Sequence, residues 1–242
     1  MNTLPVPARS RFGAGISRLI LALLILAVAG CGGNEPEERK AFIALLQDKV
    51  LQKQGIAIEP LSREEAKAIG KYGKHYALLE NFQKDMARET AKNAKDLLSL
   101  AEMENLAAVA KAENSLKKAA KDALALRETT AALQTKTEKA KAELKTPEDL
   151  APVFDAAYKK IVTGPAEAAE NAFTAVHAVF AATLDLISFI NTNNRDMEIA
   201  DTAINVKNPG LMDDLNAKMS AVREKSAELR VAYAAMMKAL LQ

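Results

Sequence analysis

Residues 110–145 read AKAENSLKKAAKDALALRETTAALQTKTEKAKAELK and decide the fold class. Apolar and small side chains recur here at alternating intervals of three and four residues, the spacing of one face of a long α-helix. The positions on this face are Leu116, Ala119, Ala123, Leu126, Thr130, Leu133, Thr137, Ala140 and Leu144. Because alanine and threonine bury little area, the pattern favours packing within one chain over a dimer zipper.

The rest of the chain repeats this helical pattern. Residues 212–240 keep the same spacing for about four heptads, and aromatic residues make up only 5% of the sequence. Abundant alanine, leucine, lysine and glutamate favour helix over sheet. The sequence therefore predicts an all-α fold, an elongated antiparallel bundle of about six helices, over residues 36–242.

Capping and breaking residues divide this bundle. Residues 62–65 (SREE) form a capping box for a short helix that ends near Gly70. Thr146 is predicted as an N-cap with Pro147 at the first helical position, and Gly164-Pro165 as a break between two helices. The polar segment 191–208 is predicted as a loop with a short extended piece at 203–206.

One predicted helix, residues 172–190, is apolar on nearly every side. Such a helix is usually central in a bundle. Its length also allows a transmembrane interpretation, but His177 and Asp185 would be costly inside a bilayer. We expect each of these two side chains to hydrogen-bond to a neighbouring helix, as polar groups of the core.

The N-terminus has the parts of a secretory signal. Three arginines lie within residues 1–18, and the apolar run 19–29 is too short to span a membrane, which needs about 20 residues. Val28, Ala29 and Gly30 then precede Cys31, the only cysteine. This arrangement resembles the lipobox of bacterial lipoproteins.

The lipobox resemblance implies that the chain is cut before Cys31 and carries lipid on it. Two or more acyl chains would anchor it durably. With a single cysteine no internal disulfide is possible, and no cofactor is predicted. Residues 1–30 would be the signal peptide, residues 31–35 a lipidated tether, and residues 36–242 the helical domain. Some lipoproteins carry an aspartate after the cysteine that retains them in the inner membrane, and Gly32 occupies this position here. The glycine therefore favours the outer membrane, with the protein facing the periplasm.

The charge balance gives no reason to expect nucleic-acid binding. Removal of residues 1–30 leaves 30 basic and 31 acidic side chains, a formal charge of −1. The basic character of the precursor therefore belongs to its signal.

The sequence offers little catalytic chemistry. Its two histidines, His75 and His177, have no second histidine at helical spacing, so a histidine-based metal site is not expected. No phosphate loop, dinucleotide fingerprint or nucleophile elbow is present. Asp155, near the Gly164-Pro165 turn, is a third polar candidate beside His177 and Asp185. His75 lies between Tyr72 and Tyr76 and is predicted to pack in an aromatic cluster.

Three segments resemble the YiaF-like lipoproteins, an uncharacterised family of Gram-negative bacteria. They are residues 38–43 (ERKAFI), 150–155 (LAPVFD) and 161–166 (IVTGPA), in that order. The resemblance implies an envelope lipoprotein and transfers no catalytic residue.

Three functions remain open at this point. The first is a non-enzymatic envelope protein, anchored to the membrane by Cys31, whose helices bind another envelope protein. The alternative is a binder of lipid or another hydrophobic ligand that opens around residues 172–190. The third is a hydrolase using Asp155 or Asp185. The sequence determines neither the partner nor the oligomeric state.

Overall fold

The structure is a computed structural model that describes residues 34–101, 106–200 and 203–241. The predicted signal peptide lies outside these residues. So do the predicted lipobox and lipidation site: Val28, Ala29, Gly30 and Cys31.

Within the described ranges the chain is almost entirely helical, as predicted. The α-helices are α1 (Glu35–Leu46), α2 (Arg63–Ile69), α3 (Gly73–Ala101), α4 (Leu106–Lys111), α5 (Glu113–Ala142), α6 (Ala151–Tyr158), α7 (Gly164–Thr192) and α8 (Met212–Leu241). A π-helical turn, Gln47–Leu51, continues α1, and a second one, Lys159–Thr163, joins α6 to α7.

The four long helices pack in the order α3, α5, α7, α8, each antiparallel to the next. The small and apolar face predicted from the 3-4 spacing lies at these contacts, because Leu116, Ala123 and Leu126 are buried between α5 and its neighbours. This confirms an all-α antiparallel bundle in which that face packs within the chain.

The largest core lies at one end of the bundle, which we call the aromatic end. Helices α1, α2 and α6, the first turns of α3 and both π-helical turns build it. Its fully buried large side chains are Phe42, Leu46, Ile69, Tyr72, Tyr76, Leu79, Leu150, Phe154, Ile161 and Val162. The opposite, distal end holds α4 and a smaller core around Leu186, Ile190, Met197 and Leu215.

The break predicted at Gly164-Pro165 is wrong, because residues 151–192 form one continuous helix. In the π-helical turn before it, the Gly164 N–H donates to the Lys159 carbonyl, a bond spanning five residues. The extra residue in this turn lets Pro165 occupy the first turn of α7, where a missing N–H costs little. At about 1.5 Å per residue the helix is about 63 Å long.

The helix predicted to begin at Thr146 starts four residues later than expected. Leu150 is the N-cap residue of α6, and residues 148–150 form a turn, with the Leu150 N–H bonded to the Pro147 carbonyl. The Thr146 side chain is therefore free to reach α3. The capping box at Ser62 and Glu65, by contrast, is confirmed.

The loop between α7 and α8 contains the short extended piece that the sequence predicts. Strand β2, Ile204–Val206, pairs antiparallel with β1, Met197–Ile199, a strand that the sequence analysis missed. This hairpin covers the distal core and leads into α8, which returns to the aromatic end, where Gly55 lies against the Leu240 carbonyl.

Candidate functional site

Two of the polar candidates, Asp155 and Asp185, lie at the surface, so the expected core position of Asp185 is wrong. Asp155 pairs with Lys141 at 2.6 Å and Asp185 with Lys218 at 2.6 Å, and both carboxylates are more than half exposed. Along the continuous helix they are about 45 Å apart. They cannot act together on one small substrate.

His177 is half-buried and links two long helices. Its Nδ1 lies 3.0 Å from the carbonyl oxygen of Ala120 on α5. This is the structural hydrogen bond that the sequence predicted for this side chain. Among the described residues, no group of three or more His, Cys, Asp or Glu side chains could hold a metal ion.

The aromatic end contains a cluster of rings from α1, α3 and α6. The Phe42 ring stacks on Tyr72 at 5.6 Å between centroids, and the His75 ring lies edge-on to Phe154 at 4.9 Å. His75 is only 4% exposed. The predicted packing of His75 in an aromatic cluster is therefore confirmed.

The buried imidazole has one polar partner. Its Nε2 lies 3.2 Å from Thr146 Oγ1, whereas Nδ1 has no hydrogen-bond partner among the described residues. Burial, and to a smaller extent the Lys71 ammonium, lowers the pKa of His75. The ring is consequently neutral at neutral pH.

A polar rim surrounds the cluster at the start of α1. The Tyr72 hydroxyl donates to the Glu35 carboxylate, and Arg39 contacts both Glu35 at 3.3 Å and Asp149 at 3.0 Å. The Tyr72 hydrogen bond, with help from Lys71 and Arg39, lowers the pKa of Glu35, and burial raises the pKa of Tyr72 to about 12. This rim fixes α1 onto α3 and the start of α6.

Tyr158 closes the other side of the cluster. The Lys141 ammonium lies 4.4 Å from the centre of its ring, while the buried hydroxyl has no hydrogen-bond partner among the described residues. Burial raises the pKa of Tyr158 to about 12, so this hydroxyl stays protonated. Packed rings surround His75, and the buried Tyr158 hydroxyl stays protonated, so this cluster has the properties of a packed core.

The three segments that carried the family resemblance meet at this end. Residues 38–43 lie on α1, residues 150–155 begin α6, and residues 161–166 span the second π-helical turn and the start of α7. The rim pair Arg39–Asp149 joins the first segment to the residue just before the second segment. The sequence does not predict this pairing, since nothing in the spacing of the residues shows which helices are neighbours.

A different kind of surface lies along the middle of α7. Between Val176 and Leu184 no side chain is fully buried, although the stretch contains Val179 and Phe180 and is almost wholly apolar. Helices α5 and α8 flank α7 and cover it only in part. We call residues 176–184 the uncovered segment; its partial exposure departs from the fully enclosed helix expected for this sequence.

By length and composition alone, the helix Ala151–Thr192 could cross a membrane, and it is the one such helix among the described residues. Only 22% of its most apolar 18-residue stretch is buried. The neighbouring helix α5 carries ion pairs such as Lys118–Asp122, however, and Asp185 on α7 itself pairs with Lys218 on α8. Charges at these positions favour a bundle helix with an open side over a membrane span.

Comparison with known proteins places these features in a family. The model of the family described as "Protein of unknown function (DUF3053)" matches residues 19–237. The "Uncharacterized protein YiaF" of Escherichia coli (strain K12) and that of Shigella flexneri are each 26% identical to this chain over 169 residues, 66% of the chain. The chain spans 66% of the length of these curated relatives, and no solved structure matches it.

Proposed function

The chain belongs to the DUF3053 family, and we propose that it is an envelope lipoprotein whose helical body binds another envelope protein without catalysing a reaction. Neither the family description nor the names of the relatives state an activity. The proposal therefore depends on the N-terminal sequence and on the surfaces of the bundle.

The anchoring part of the proposal comes from Cys31. Lipid on this residue would hold the body through a tether of a few residues, which at about 3.5 Å each reaches about 20 Å at most. The first described helical residue, Glu35, lies at the aromatic end. An anchored chain would therefore place its aromatic end at the membrane, which Gly32 suggests is the outer membrane, with the bundle in the periplasm.

The observation that carries the binding proposal is the uncovered segment on α7. Contiguous apolar side chains that stay partly exposed in the middle of a bundle can form an interaction surface. A partner that covers Val179 and Phe180 would complete the packing of the bundle.

The anchor is tested by mass spectrometry of the N-terminal peptide of the mature protein. We expect cleavage before Cys31 and the mass of attached acyl chains, together with recovery of the protein in outer-membrane fractions. A Cys31→Ser chain should keep its signal segment and lose the lipid. An unmodified cysteine in the wild-type chain would contradict this part of the proposal.

The binding function is tested by chemical crosslinking in cells, followed by mass spectrometry of the proteins and lipids that are recovered. Ala181→Arg places a charged side chain at the exposed position of the uncovered segment, and Ser188→Arg is its control two turns further along the same exposed face. We expect a protein crosslinked to the wild-type chain and to the control, and lost with Ala181→Arg. Equal recovery with both variants would contradict the proposed surface.

A lipid or hydrophobic-ligand binder is the second candidate, and the same uncovered segment favours it. This function predicts lipid that stays bound to the purified chain and is released by Ala181→Arg but not by Ser188→Arg. Native mass spectrometry of the detergent-solubilised chain measures this directly. A chain free of bound lipid would exclude the second candidate.

A further inference from the structure

The face of α8 that points away from α7 forms an exposed stripe. Its members recur every three or four residues and all lie at the surface: Ser220, Glu224, Ala227, Val231, Ala235, Lys238 and Leu241. Val231 is 72% exposed and Leu241 is 64% exposed. We call these residues the outer stripe of α8.

The outer stripe is separate from the packing of α8 within the bundle. On the opposite face, Leu215 is buried and Val222, Leu229 and Met236 are half-buried, on the side that α7 occupies. The apolar residues of the outer stripe are therefore not part of the bundle core. Among the described residues, the three most exposed large hydrophobic side chains lie in the second half of α8: Val231, Leu241 and Tyr233.

The charges of the outer stripe are arranged symmetrically about Val231. Glu224 lies seven residues before it and Lys238 seven residues after it, so both are two turns away on the same side of the helix. Ala227 and Ala235 lie four residues to either side. A contact between identical copies related by a two-fold axis requires such self-complementarity, since residue i meets residue j and j meets i.

We propose that two copies of this chain associate through antiparallel α8 helices, with Val231 on the two-fold axis. In this arrangement Val231 meets Val231 of the second copy, and Ala227 meets Ala235 of the second copy, which allows close approach. Glu224 pairs with Lys238 of the second copy, and this ion pair occurs twice. A parallel arrangement would instead place Glu224 beside Glu224 and Lys238 beside Lys238, and like charges repel.

The proposed contact uses one helix face from each copy, so it is smaller than the about 1,600 Å² of a standard protein interface. Reversible dimerisation is therefore expected. The proposal does not depend on the proposed function, because the outer stripe lies on a different surface from the uncovered segment of α7. Loss of either binding activity would leave the other intact.

Disulfide trapping in the full chain tests whether Val231 lies on the two-fold axis of the dimer. Val231→Cys brings two thiols together and should give a covalent dimer on a non-reducing gel. Ser220→Cys is the matched control, because antiparallel copies hold two such positions about 33 Å apart. The wild-type chain, whose only cysteine is Cys31, gives the background. A Val231→Cys yield no higher than that of Ser220→Cys would overturn the proposal.

Charge reversal tests the pairing in the Val231→Cys background. Glu224→Lys and Lys238→Glu, each alone, oppose like charges and should slow dimer formation about fivefold or more. The double variant Glu224→Lys with Lys238→Glu should restore the original rate, because the ion pairs re-form with exchanged partners. Single reversals without effect, or a double variant as slow as the singles, would overturn the antiparallel arrangement. Unchanged helical circular dichroism verifies that each variant folds.

Discussion

His75 Nε2 and Thr146 Oγ1 lie 3.2 Å apart, although 71 residues separate them in the chain. The contact joins the first turn of α3 to the segment that precedes α6. Around it, rings from α1, α3 and α6 exclude water from the imidazole, which is 4% exposed. The neutral imidazole is therefore part of the packing that holds the aromatic end together.

This burial predicts a loss of stability in mild acid. The pKa of His75 lies below its ordinary value of 6.5 in the folded chain, so below about pH 6.5 the unfolded chain binds a proton that the folded chain does not. The free energy of unfolding should fall as the pH drops from about 6.5 toward the lowered pKa. Urea unfolding at a series of pH values measures this dependence.

The variant His75→Phe isolates the contribution of this ring. It keeps an aromatic side chain in the cluster but removes the titrating group, so the pH dependence between about 6.5 and 5 should flatten. The Glu65 carboxylate acts in a different range: Lys49 and Ser62 lower the pKa of Glu65 to about 2, and its contribution is lost only below about pH 4.5. An unchanged slope in the variant would show that another group causes the mild-acid effect.

Two neighbouring glycines should respond to alanine in opposite directions. Gly70 has φ +46°, and a Cβ there would meet the carboxylate of Glu38, which accepts a hydrogen bond from the Lys71 N–H. Gly70→Ala should therefore lower the free energy of unfolding by more than about 1 kcal/mol. At Gly73, by contrast, a Cβ would meet nothing within 4 Å in a helical backbone.

Gly73→Ala should accordingly raise the free energy of unfolding by about 0.4–1 kcal/mol, because alanine restricts the unfolded chain. Urea unfolding of both variants under identical conditions gives the comparison. A similar loss in the two variants would contradict the described turn between α2 and α3.

Lys160 stabilises the junction of the two π-helical turns. Its ammonium donates to the carbonyl oxygens of Leu51 and Lys53 at the end of the first turn, while Lys160 itself lies in the second. Lys160→Met keeps the length of the side chain and removes the donor, so the free energy of unfolding should fall by about 1 kcal/mol. Lys159→Met, at the exposed neighbouring position, should change it by less than about 0.5 kcal/mol. Equal effects would show that the ammonium contributes no specific bond.

The sequence predicted those parts of the fold that depend on local pattern. The 3-4 spacing from Leu116 to Thr137 placed the buried face of α5, and the capping box at Ser62 placed the start of α2. The spacing of Tyr72, His75 and Tyr76 also indicated an aromatic cluster, because residues three and four apart share one helix face.

The remaining features depend on which helices are neighbours. Thr146 has the residue type of an N-cap, but its hydroxyl contacts His75, and α6 begins later. A proline after a helix normally predicts a break. At Pro165 the helix continues because a π-helical turn precedes it. Likewise, hydropathy identified the apolar character of α7 and could not show that α5 and α8 leave residues 176–184 partly uncovered.

Site-specific photocrosslinking in living cells tests the central claim, that the uncovered segment of α7 binds an envelope protein. A photoreactive amino acid at Ala181 probes this segment, and the same group at Ser188 is the control on the polar part of the same face. The account predicts one discrete protein adduct from Ala181 that is absent from Ser188. Lipid adducts alone, or no adduct at Ala181, would contradict it.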